Sequence, residues 1–563
     1  MLKGLILENF KAFGERQEIP LAPITLIYGQ NSAGKSSIIQ ALLALKQTHD
    51  YNRIDPVKST LGMLTSRGSS VDIGMFSEYV YGNDNGRIIS LGLESIEISN
   101  EDYGFDSFRS EIGHFGISYS SLLHWLEGLP IHIEYALEKG DEVKDSNLAA
   151  LSLSAYGSLF CTFSKETIIY ADIEGAGTHE VFIDVMLSLD EVYRGSGLSG
   201  HMASEMFKNI IDMIAKHDEV PGRYKVPDIY IEMYLELMSK RMMYRSVLRF
   251  LSLDTIMESE VVDSAEGRPE PAHGNIRDYS LAAEQVYSEA SLLINAIVGT
   301  QRIDTQSEER LDLVWEVAEE IFKFRSFWTK FAASMSIRML NKLSLKLSHV
   351  GPVRRVPDRI IYAADESMQH NHDDRSNWPI ILRNSQRALD SVNEDLEMLD
   401  IPYQVKVASH KIKGVSDIFT ITVLDTKTRI ENAIRDVGYG IGQVLPVILQ
   451  SGLSQRGIIA LEQPELHLHP RHQANLGSLF ARSWRERGNQ FIIETHSEQL
   501  ILRLQKLIRK EELSHKDVCV LYVDRDENGS HCQRLRLDET GKIIDNWPGG
   551  FFEESFYEMF DIT

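Results

Sequence analysis

The residues best suited to phosphate chemistry lie near the start of the chain, in the segment GQNSAGKS from Gly29 to Ser36. They fit the P-loop pattern G-x-x-x-x-G-K-[ST], with a strand-like run before them and a helix-like run after them. Glycines let such a loop curl so that its backbone N–H groups face phosphate oxygens, and the helix N-terminus adds favourable partial charge. We expect Lys35 to bridge the β- and γ-phosphates of ATP and the Ser36 hydroxyl to ligate Mg²⁺. The other loop residues expected to contact the nucleotide are Asn31, Ser32, Ala33, Gly34 and Ser37.

A second candidate metal-binding residue, Glu462, ends the apolar run IIALE. We predict that this strand lies next to the P-loop strand, where its carboxylate could hold a hydrated Mg²⁺. The alternative is an ordinary buried strand with an acid at its tip. The P-loop favours the metal-binding interpretation, so Ser36 and Glu462 are the predicted metal site.

Two further segments follow the P-loop in an informative order. The segment DVGYGIGQ from Asp436 opens an apolar helical stretch, and glycines at a helix start make a second phosphate-binding N-terminus. The segment FIIETHS is a strand-like run that leads to His496. The order of P-loop, long insertion, Gly-rich helix, acidic strand and histidine strand is that of ABC ATPases, with their signature motif and a switch histidine at the γ-phosphate. The predicted signature residues are Gly438, Gly440, Gly442 and Gln443.

The elements that must position these residues can be predicted from hydrophobic patterns. Short apolar runs predict strands, and the run SSIIQALLALKQ after Lys35 has helical spacing. Strands and helices alternate between residues 457 and 523, which is typical of a parallel α/β sheet. The predicted strands are residues 2–7, 24–28, 88–93, 131–135, 148–153, 167–173, 180–185, 403–408, 418–424, 457–461, 490–493 and 518–523.

The fold class predicted from these patterns is α/β, an ABC-type P-loop ATPase head with a mainly helical insertion. Residues 1–195 would form the N-terminal lobe with the P-loop and a β-rich part. Residues 196–347 change to long amphipathic stretches and would form the helical insertion. Residues 348–563 would form the C-terminal lobe with the signature, the acidic strand, the histidine and the tail.

Composition places the chain among globular cytoplasmic proteins. We find no apolar run long enough to cross a membrane and no secretory signal, and three scattered cysteines do not suit a disulfide framework. The net charge of −24 argues against a surface coated for DNA binding, although local basic patches could still contact nucleic acid. Such patches are more often solvated faces or sets of salt bridges in an acidic protein, and they are also where we would look for nucleic-acid contact. The three basic clusters are Lys240, Arg241, Arg245 and Arg249; Arg354, Arg355 and Arg359; and Lys406, His410, Lys411 and Lys413.

Two other clusters are weaker candidates. His467, His469 and His472 lack the partners of a metal site and more naturally shape a loop at a dimer interface. Asp524 and Asp526 form a short acidic cluster at the end of a predicted strand, and the segment RDENG from Arg525 has the composition of a turn. Too little chain follows His496 for a TOPRIM nuclease domain, so we expect no intrinsic nuclease.

Several of these motifs resemble those of the SMC/RecF-like ATPases, and within them the stand-alone ATPases related to OLD proteins. The string EQPELHLHP from Glu462 is especially specific, and VDIG from Val71 and GPVR from Gly351 also match. The tail NWPGGFFEE from Asn546 is similar to the C-terminal signature of a subfamily that includes Septu-type antiphage-defence ATPases, some associated with retrons.

The resemblance implies a head-to-tail homodimer, in which the signature of one protomer caps ATP held by the P-loop of the other. It also implies partners. Septu-like systems pair the ATPase with a separate HNH nuclease, and in the retron versions a reverse transcriptase joins with its DNA–RNA product.

One residue departs from the usual ABC pattern. Most ABC ATPases carry a catalytic glutamate directly after the acid of the strand, whereas this chain has Gln463. Glutamine can orient water but cannot accept its proton, so general-base catalysis would be weak. Glu465 is an alternative source of a carboxylate, although Pro464 constrains the local backbone. We therefore expect tight ATP binding and slow turnover, with Glu462, Gln463, Glu465 and His496 as the candidate catalytic residues.

Three functions remain open from the sequence. The first is a regulatory ATPase of antiphage defence that controls a nuclease. The second is a DNA-repair or chromosome-maintenance ATPase that acts directly on DNA. The third is a nucleotide-dependent scaffold with negligible hydrolysis.

Overall fold

The computed structural model describes most of the two ends of the chain. The described residues are 1–54, 64–95, 131–140, 146–155, 158–164, 185–186, 338–354, 356–362, 378–410 and 418–548. The predicted helical insertion lies outside the described residues except for helical residues 338–346 and Leu347. Leu347 begins a strand, so the predicted boundary after this residue divides an element of the sheet.

The strands are numbered in chain order. They are β1 (Leu2–Glu8), β2 (Gln17–Pro20), β3 (Ile24–Gly29), β4 (Ile89–Ser95), β5 (Ile131–Lys139), β6 (Ser146–Ala155), β7 (Ser158–Ser164), β8 (Val185–Met186), β9 (Leu347–Val350), β10 (Ile361–Tyr362), β11 (Tyr403–His410), β12 (Ile418–Asp425), β13 (Glu431–Ala433), β14 (Ile458–Glu462), β15 (Gln490–Glu494), β16 (Val518–Asp526) and β17 (Gly529–Leu535). Besides the helical residues 338–346, the helices named here are α1 (Lys35–Ile54), α2 (Phe76–Tyr79), α3 (Trp378–Asn384), α4 (Gln386–Met398), α5 (Tyr439–Leu453), α6 (Pro470–Arg487) and α7 (Glu498–Arg509). None of the helices that the structure describes is long and apolar enough to cross a membrane.

A six-stranded sheet carries the predicted nucleotide-binding segments. Its order is β17-β16-β3-β15-β14-β9. The five strands from β16 to β9 are parallel, and β17 pairs antiparallel with β16. Every residue of β3 and β15 is buried, which is why both read as continuous apolar runs. The predicted α/β class with a P-loop ATPase fold is confirmed.

The order of this sheet corrects one prediction. The strand that ends in Glu462 is not next to the P-loop strand, because β15 lies between β3 and β14. The carboxyl ends of parallel strands nevertheless meet at one edge, so Glu462 still ends on the same side of the sheet as the P-loop. Hydrophobic patterns predict strands but not their lateral order, and this is the reason for the error.

A second sheet of the described chain is antiparallel, with the order β2-β1-β4-β5-β6-β7-β8. The predicted strands at 88–93, 131–135 and 148–153 correspond to β4, β5 and β6. Strand β7 was not predicted, because its sequence SLFCTFS lacks a clear alternation. The run predicted at 167–173 lies outside the described residues, as does all of the run at 180–185 except Val185.

A third sheet lies in the C-terminal half, with the order β10-β12-β11 and with β13 paired to β12. Helix α4 packs against this sheet and against α5, and the buried side chains of α4 and β12 join the main hydrophobic core. The same core includes β3, β14, β15, β16 and helices α6 and α7. The signature segment and the nucleotide segments are thus attached to one continuous core.

The prediction of a turn at the acidic cluster of Asp524 and Asp526 is also corrected. Strand β16 continues to Asp526, and Asp524 pairs with His531 of β17, so both aspartates lie in a strand rather than in the turn. The turn itself is made by residues 527–528.

Candidate functional site

The P-loop is a tight turn between β3 and α1. Its backbone has positive φ at Gly29 (141°), Ser32 (63°) and Gly34 (100°), a region that favours glycine. A Cβ at Gly29 would meet the Val523 carbonyl oxygen at 2.1 Å, and one at Gly34 would meet Ser530 Oγ at 2.7 Å. The Ser530 hydroxyl also donates to the Ala33 carbonyl at 2.6 Å. The loop is therefore held against β16 and β17, and glycine is required where it touches them.

The Lys35 side chain is folded back onto this loop. Its Nζ donates to the carbonyl oxygens of Gly29 at 3.0 Å and Gln30 at 2.7 Å. Burial lowers the pKa of Lys35, while the negative charge of Glu494 opposes this effect. The ammonium group is thus already held inside the loop, where a phosphate group would replace the two carbonyl oxygens.

Ser36 contacts a carboxylate that sequence reasoning did not select. Its hydroxyl donates to Glu494 Oε2 at 2.7 Å, across 458 residues of sequence. Glu494 ends β15, the strand next to the P-loop strand. Burial raises the pKa of Glu494, and the hydrogen bond from Ser36 opposes the shift. The available signal was an acid at the end of a predicted parallel strand, the same pattern that selected Glu462.

Glu462 ends β14 and pairs in register with Glu494. Its Oε1 lies 2.6 Å from Nε2 of His349, which belongs to β9 on the other side of β14. The two carboxylates and the Ser36 hydroxyl are hard oxygen donors at one edge of the sheet, which is the chemistry that Mg²⁺ prefers. The residues present therefore fit this metal.

Gln463 has a strained backbone. Its φ is 46°, and its N–H donates to the Glu494 carbonyl oxygen at 2.7 Å. This bond fixes the start of the loop that follows β14. The Gln463 backbone is therefore anchored to the ends of both strands that carry the two carboxylates.

Glu465 points into the protein, and only 7% of it is exposed. Its Oε1 accepts hydrogen bonds from Thr495 Oγ1 and from the His496 N–H, both at 2.7 Å. Burial raises the pKa of Glu465, and these two hydrogen bonds oppose the shift. Oε1 thus holds the loop that carries His496, and burial keeps the carboxylate away from bulk water.

His496 follows β15 at the same edge of the sheet. Burial lowers its pKa, and the positive charge of Lys35 lowers it further, so the imidazole ring is neutral at pH 7. The structure thereby brings together Lys35, Ser36, Glu462, Gln463 and His496 from three segments of the chain.

The Gly-rich segment begins α5 as predicted, with Gly438 at its N-cap. A Cβ at Gly440 would meet the His467 carbonyl oxygen at 2.6 Å, and one at Gly442 would meet Val356 Cγ2 at 2.7 Å. Gly438 is different, since nothing lies within 4 Å of a Cβ there. Gly440 and Gly442 allow close packing, and Gly438 is the member of the segment that is open to a ligand.

Gln443 is buried and its amide is used within the fold. Only 1% of it is exposed, and its Nε2 donates to the Arg354 carbonyl oxygen at 2.6 Å. Arg354 in turn donates to the carbonyl oxygens of Gly351 at 2.9 Å, Gln443 at 3.0 Å, Glu462 at 2.8 Å and Gln463 at 3.2 Å. Burial lowers the pKa of Arg354 to about 10, so it is charged at pH 7. This guanidinium connects α5 to the end of β14.

The three basic clusters considered for nucleic-acid contact form internal bonds wherever the structure describes them. Arg354 is buried, Arg359 forms two hydrogen bonds with Asp436, and Lys406 pairs with Glu431 at 2.9 Å. His410 Nε2 lies 3.1 Å from Thr420 Oγ1. The remaining members lie outside the described residues: Lys240, Arg241, Arg245, Arg249, Arg355, Lys411 and Lys413.

The three histidines after β14 have separate surroundings. His469 caps α6, and its Nδ1 accepts from the Arg471 N–H at 3.2 Å. His472 Nδ1 lies 3.1 Å from the Leu399 carbonyl oxygen. The His467 backbone has positive φ (62°) and lies against Gly440. These residues shape the loop between β14 and α6.

Comparison with known families finds two matches. The model described as "AAA ATPase domain" matches residues 1–218 and 353–501. The model described as "Protein of unknown function (DUF3696)" matches residues 513–562, which includes the tail that resembles a subfamily signature. A comparison with curated proteins finds no match.

Several solved structures of SMC head domains are similar at low identity. One is the Pyrococcus furiosus head domain with an extended coiled coil, bound to the C-terminal domain of ScpA: 12% identity, 100% of this chain and 99% of that chain covered, TM-score 0.36. Another is the Thermotoga maritima head domain: 11% identity, 95% and 99% covered, TM-score 0.32. A third, from Pyrococcus yayanosii, has 13% identity, 96% and 98% coverage and a TM-score of 0.34. These likenesses are too low to support a statement about function.

Proposed function

Because the chain belongs to the AAA ATPase domain family, we propose that it binds ATP with Mg²⁺ at the P-loop and hydrolyses it slowly. We propose further that two chains dimerise around the nucleotide and thereby control a partner nuclease in antiphage defence. The observation that carries the nucleotide site is the contact of Ser36 with Glu494, next to Lys35 inside the loop. A P-loop, its lysine and its acids meet at one edge of the sheet, although they come from distant segments.

The residues have distinct roles in the proposed site. The Lys35 ammonium would exchange the Gly29 and Gln30 carbonyl oxygens for β- and γ-phosphate oxygens. The P-loop N–H groups and the N-terminus of α1 would bind the remaining phosphate oxygens. The neutral His496 ring would donate one N–H to the γ-phosphate. Mg²⁺, when bound by Ser36 and the sheet-edge carboxylates, neutralises phosphate charge.

We expect slow hydrolysis because neither of the two candidate bases, Gln463 and Glu465, is suited to take a proton from the attacking water. Gln463 can orient water but cannot take its proton. Glu465, the alternative base, is buried and already accepts two hydrogen bonds from residues 495 and 496. This observation also favours the scaffold with negligible hydrolysis as the second candidate function.

Dimerisation is supported by the position of Gly438. Helix α5 contacts β14 and β9, whereas the P-loop follows β3 on the other side of β15. At about 4.8 Å between neighbouring strands, β14 and β9 lie roughly 10–14 Å to the side of the P-loop strand, and the signature helix packs against these two strands. The open face of Gly438 would therefore contact nucleotide on a second copy.

The defence role and its partners rest on the resemblance of the EQPELHLHP string and the tail to Septu-type ATPases. In that role an HNH nuclease would join the dimer, and a reverse transcriptase with its DNA–RNA product would join in a retron version. Direct action on DNA is less well supported, because the described basic residues of the predicted clusters are bonded internally. We also propose that the helical insertion, residues 196–347, separates two lobes of the ATPase head, residues 1–195 and 348–563.

The test uses the full chain and its Lys35→Ala variant. We expect the wild type to bind a fluorescent ATP analogue, to release phosphate slowly and to double its mass with ATP in light scattering. K35A should bind at least about tenfold more weakly, because it loses charge-assisted hydrogen bonds worth about 1.5–3 kcal/mol each. The exposed Lys3 provides the control variant K3A. Equal binding by K35A and wild type would disprove the nucleotide site.

The partner is tested by purification after co-expression with the genes that neighbour this one. A stable complex with a nuclease supports the defence role. A lone dimer that binds DNA only with ATP, and less so at high salt, would favour DNA maintenance instead.

A further inference from the structure

Two glutamates end neighbouring strands of the six-stranded sheet, and only one of them touches the P-loop. Glu462 of β14 and Glu494 of β15 are partners in register, so both side chains project from the same face of the sheet. Glu494 Oε2 accepts the hydrogen bond from Ser36 Oγ at 2.7 Å. The two acids are therefore not equivalent with respect to the serine that follows the P-loop lysine.

The Glu462 carboxylate is occupied on its other side. His349 of β9 lies 2.6 Å from its Oε1, and β9 is the neighbour of β14 that faces away from β15. Arg354 binds the Glu462 carbonyl oxygen at 2.8 Å and fixes the end of the strand. Glu462 is thus attached to the side of the sheet that is farther from the P-loop.

The order of the strands gives Glu494 the shorter path to the phosphates. β15 is the direct neighbour of β3, with Glu494 paired to Ile27, whereas β14 is one strand spacing (about 4.8 Å) farther away. The backbone at Glu494 is fixed by a bond from the Gln463 N–H to its carbonyl oxygen at 2.7 Å. This carboxylate is therefore close to Ser36 and is carried by a backbone that is held in place.

We propose that Glu494 is a direct Mg²⁺ ligand beside Ser36, and that Glu462, held by His349, acts on the metal only from farther away. This inference rests on the proposed ATP function. Ser36 Oγ and the Glu494 carboxylate, now joined by a hydrogen bond, would both hold the metal when it is bound. An anionic carboxylate and a neutral hydroxyl are ligands that Mg²⁺ accepts alongside phosphate oxygens and waters.

The experiment measures the affinity of the full-length protein for a fluorescent ATP analogue, in EDTA and in Mg²⁺. The variants are Glu494→Gln and Glu462→Gln, and the control is Glu498→Gln, an exposed acid at the start of α7. All three keep the size of the side chain and remove one charge. Free Mn²⁺ is followed by its electron paramagnetic resonance signal in the same samples, which reports metal binding without any turnover.

We expect Mg²⁺ to strengthen nucleotide binding by the wild type and by E498Q. E494Q should keep its affinity in EDTA and lose about tenfold or more of the gain from metal, since even outer partners of a metal site cost 10–100-fold in metal affinity. E462Q should lose less than E494Q. If E494Q does not fold, E494D is the second variant. It keeps the carboxylate but shortens the side chain by one methylene, so we expect a smaller but clear loss of the metal-dependent gain in affinity.

A metal-dependent gain that survives in E494Q or E494D but disappears in E462Q would overturn the assignment and leave the ATP function intact. A wild type that binds no nucleotide with or without metal would instead remove the proposed function, and the inference with it.

Discussion

Trp547 from the C-terminal tail packs edge-on against Tyr28, with ring centroids 5.3 Å apart and an interplanar angle of 88°. Tyr28 is fully buried on β3, directly before the first glycine of the P-loop. Its hydroxyl donates to the Ser497 carbonyl oxygen at 3.0 Å, next to the loop that carries His496. The tail thus supports the strand and the loop that position the nucleotide site.

This contact predicts that W547A destabilises the ATPase head. Aromatic pairs contribute about 0.5–1.5 kcal/mol beyond the area they bury, and Trp547 is half-buried, so we expect a loss of about 1–3 kcal/mol in free energy of unfolding. Urea denaturation measures the change. The nearby Ile544 is 56% exposed, and I544A should change stability by less than about 0.5 kcal/mol. Equal effects of the two substitutions would contradict a supporting role for the tail.

Because Gln463 carries an amide and not a carboxylate, we predict that a glutamate at this position raises the rate of ATP hydrolysis. Gln463→Glu adds a carboxylate directly after Glu462, at the same end of the sheet as Glu494, and this carboxylate could accept the proton of the attacking water. General-base catalysis contributes about 10²–10⁴-fold, so the rate of phosphate release at saturating ATP should rise by at least about tenfold. Gln463→Asn is the matched control and should not accelerate release. An unchanged rate in Q463E would mean that water is activated by another group.

The packing at the start of α5 predicts opposite behaviour for its N-cap glycine and for a glycine of its first turn. Gly440→Ala would bring a methyl group to 2.6 Å from the His467 carbonyl oxygen, so we expect a loss of about 1–3 kcal/mol in unfolding free energy. Gly438→Ala has open space and φ of −51°, so stability should change by less than about 0.5 kcal/mol. G438A should instead weaken ATP-dependent dimerisation, which light scattering detects. Full dimerisation of G438A would argue against Gly438 at the dimer interface.

The tail contains an ion pair that predicts a pH effect on stability. Hydrogen bonds from Arg536 lower the pKa of Asp545 to about 2. A carboxyl whose pKa is depressed in the folded state stabilises the protein above its unfolded value of about 3.9, and this stabilisation is lost as the pH falls toward about 2. The difference in unfolding free energy between wild type and D545N should therefore be constant above about pH 5 and shrink in acid. A difference that does not depend on pH would show that the ion pair contributes little.

Local sequence determined much of the nucleotide site. The P-loop spacing predicted the turn between β3 and α1, because a phosphate-binding loop is made by the backbone of a few consecutive residues. The same holds for the helix start at Gly438 and for the strands ended by Glu462 and Glu494, since apolar periodicity and glycine positions are local properties.

Only the tertiary structure decided which of these residues meet. Because β15 lies between β3 and β14, Glu494 contacts Ser36, whereas Glu462 contacts His349. The contact of Trp547 with Tyr28 and the burial of Glu465 likewise join segments far apart in the chain. Hydrophobic patterns specify that a strand is buried, but its lateral neighbours depend on how whole sheets and helices pack, and this information is distributed over the entire core.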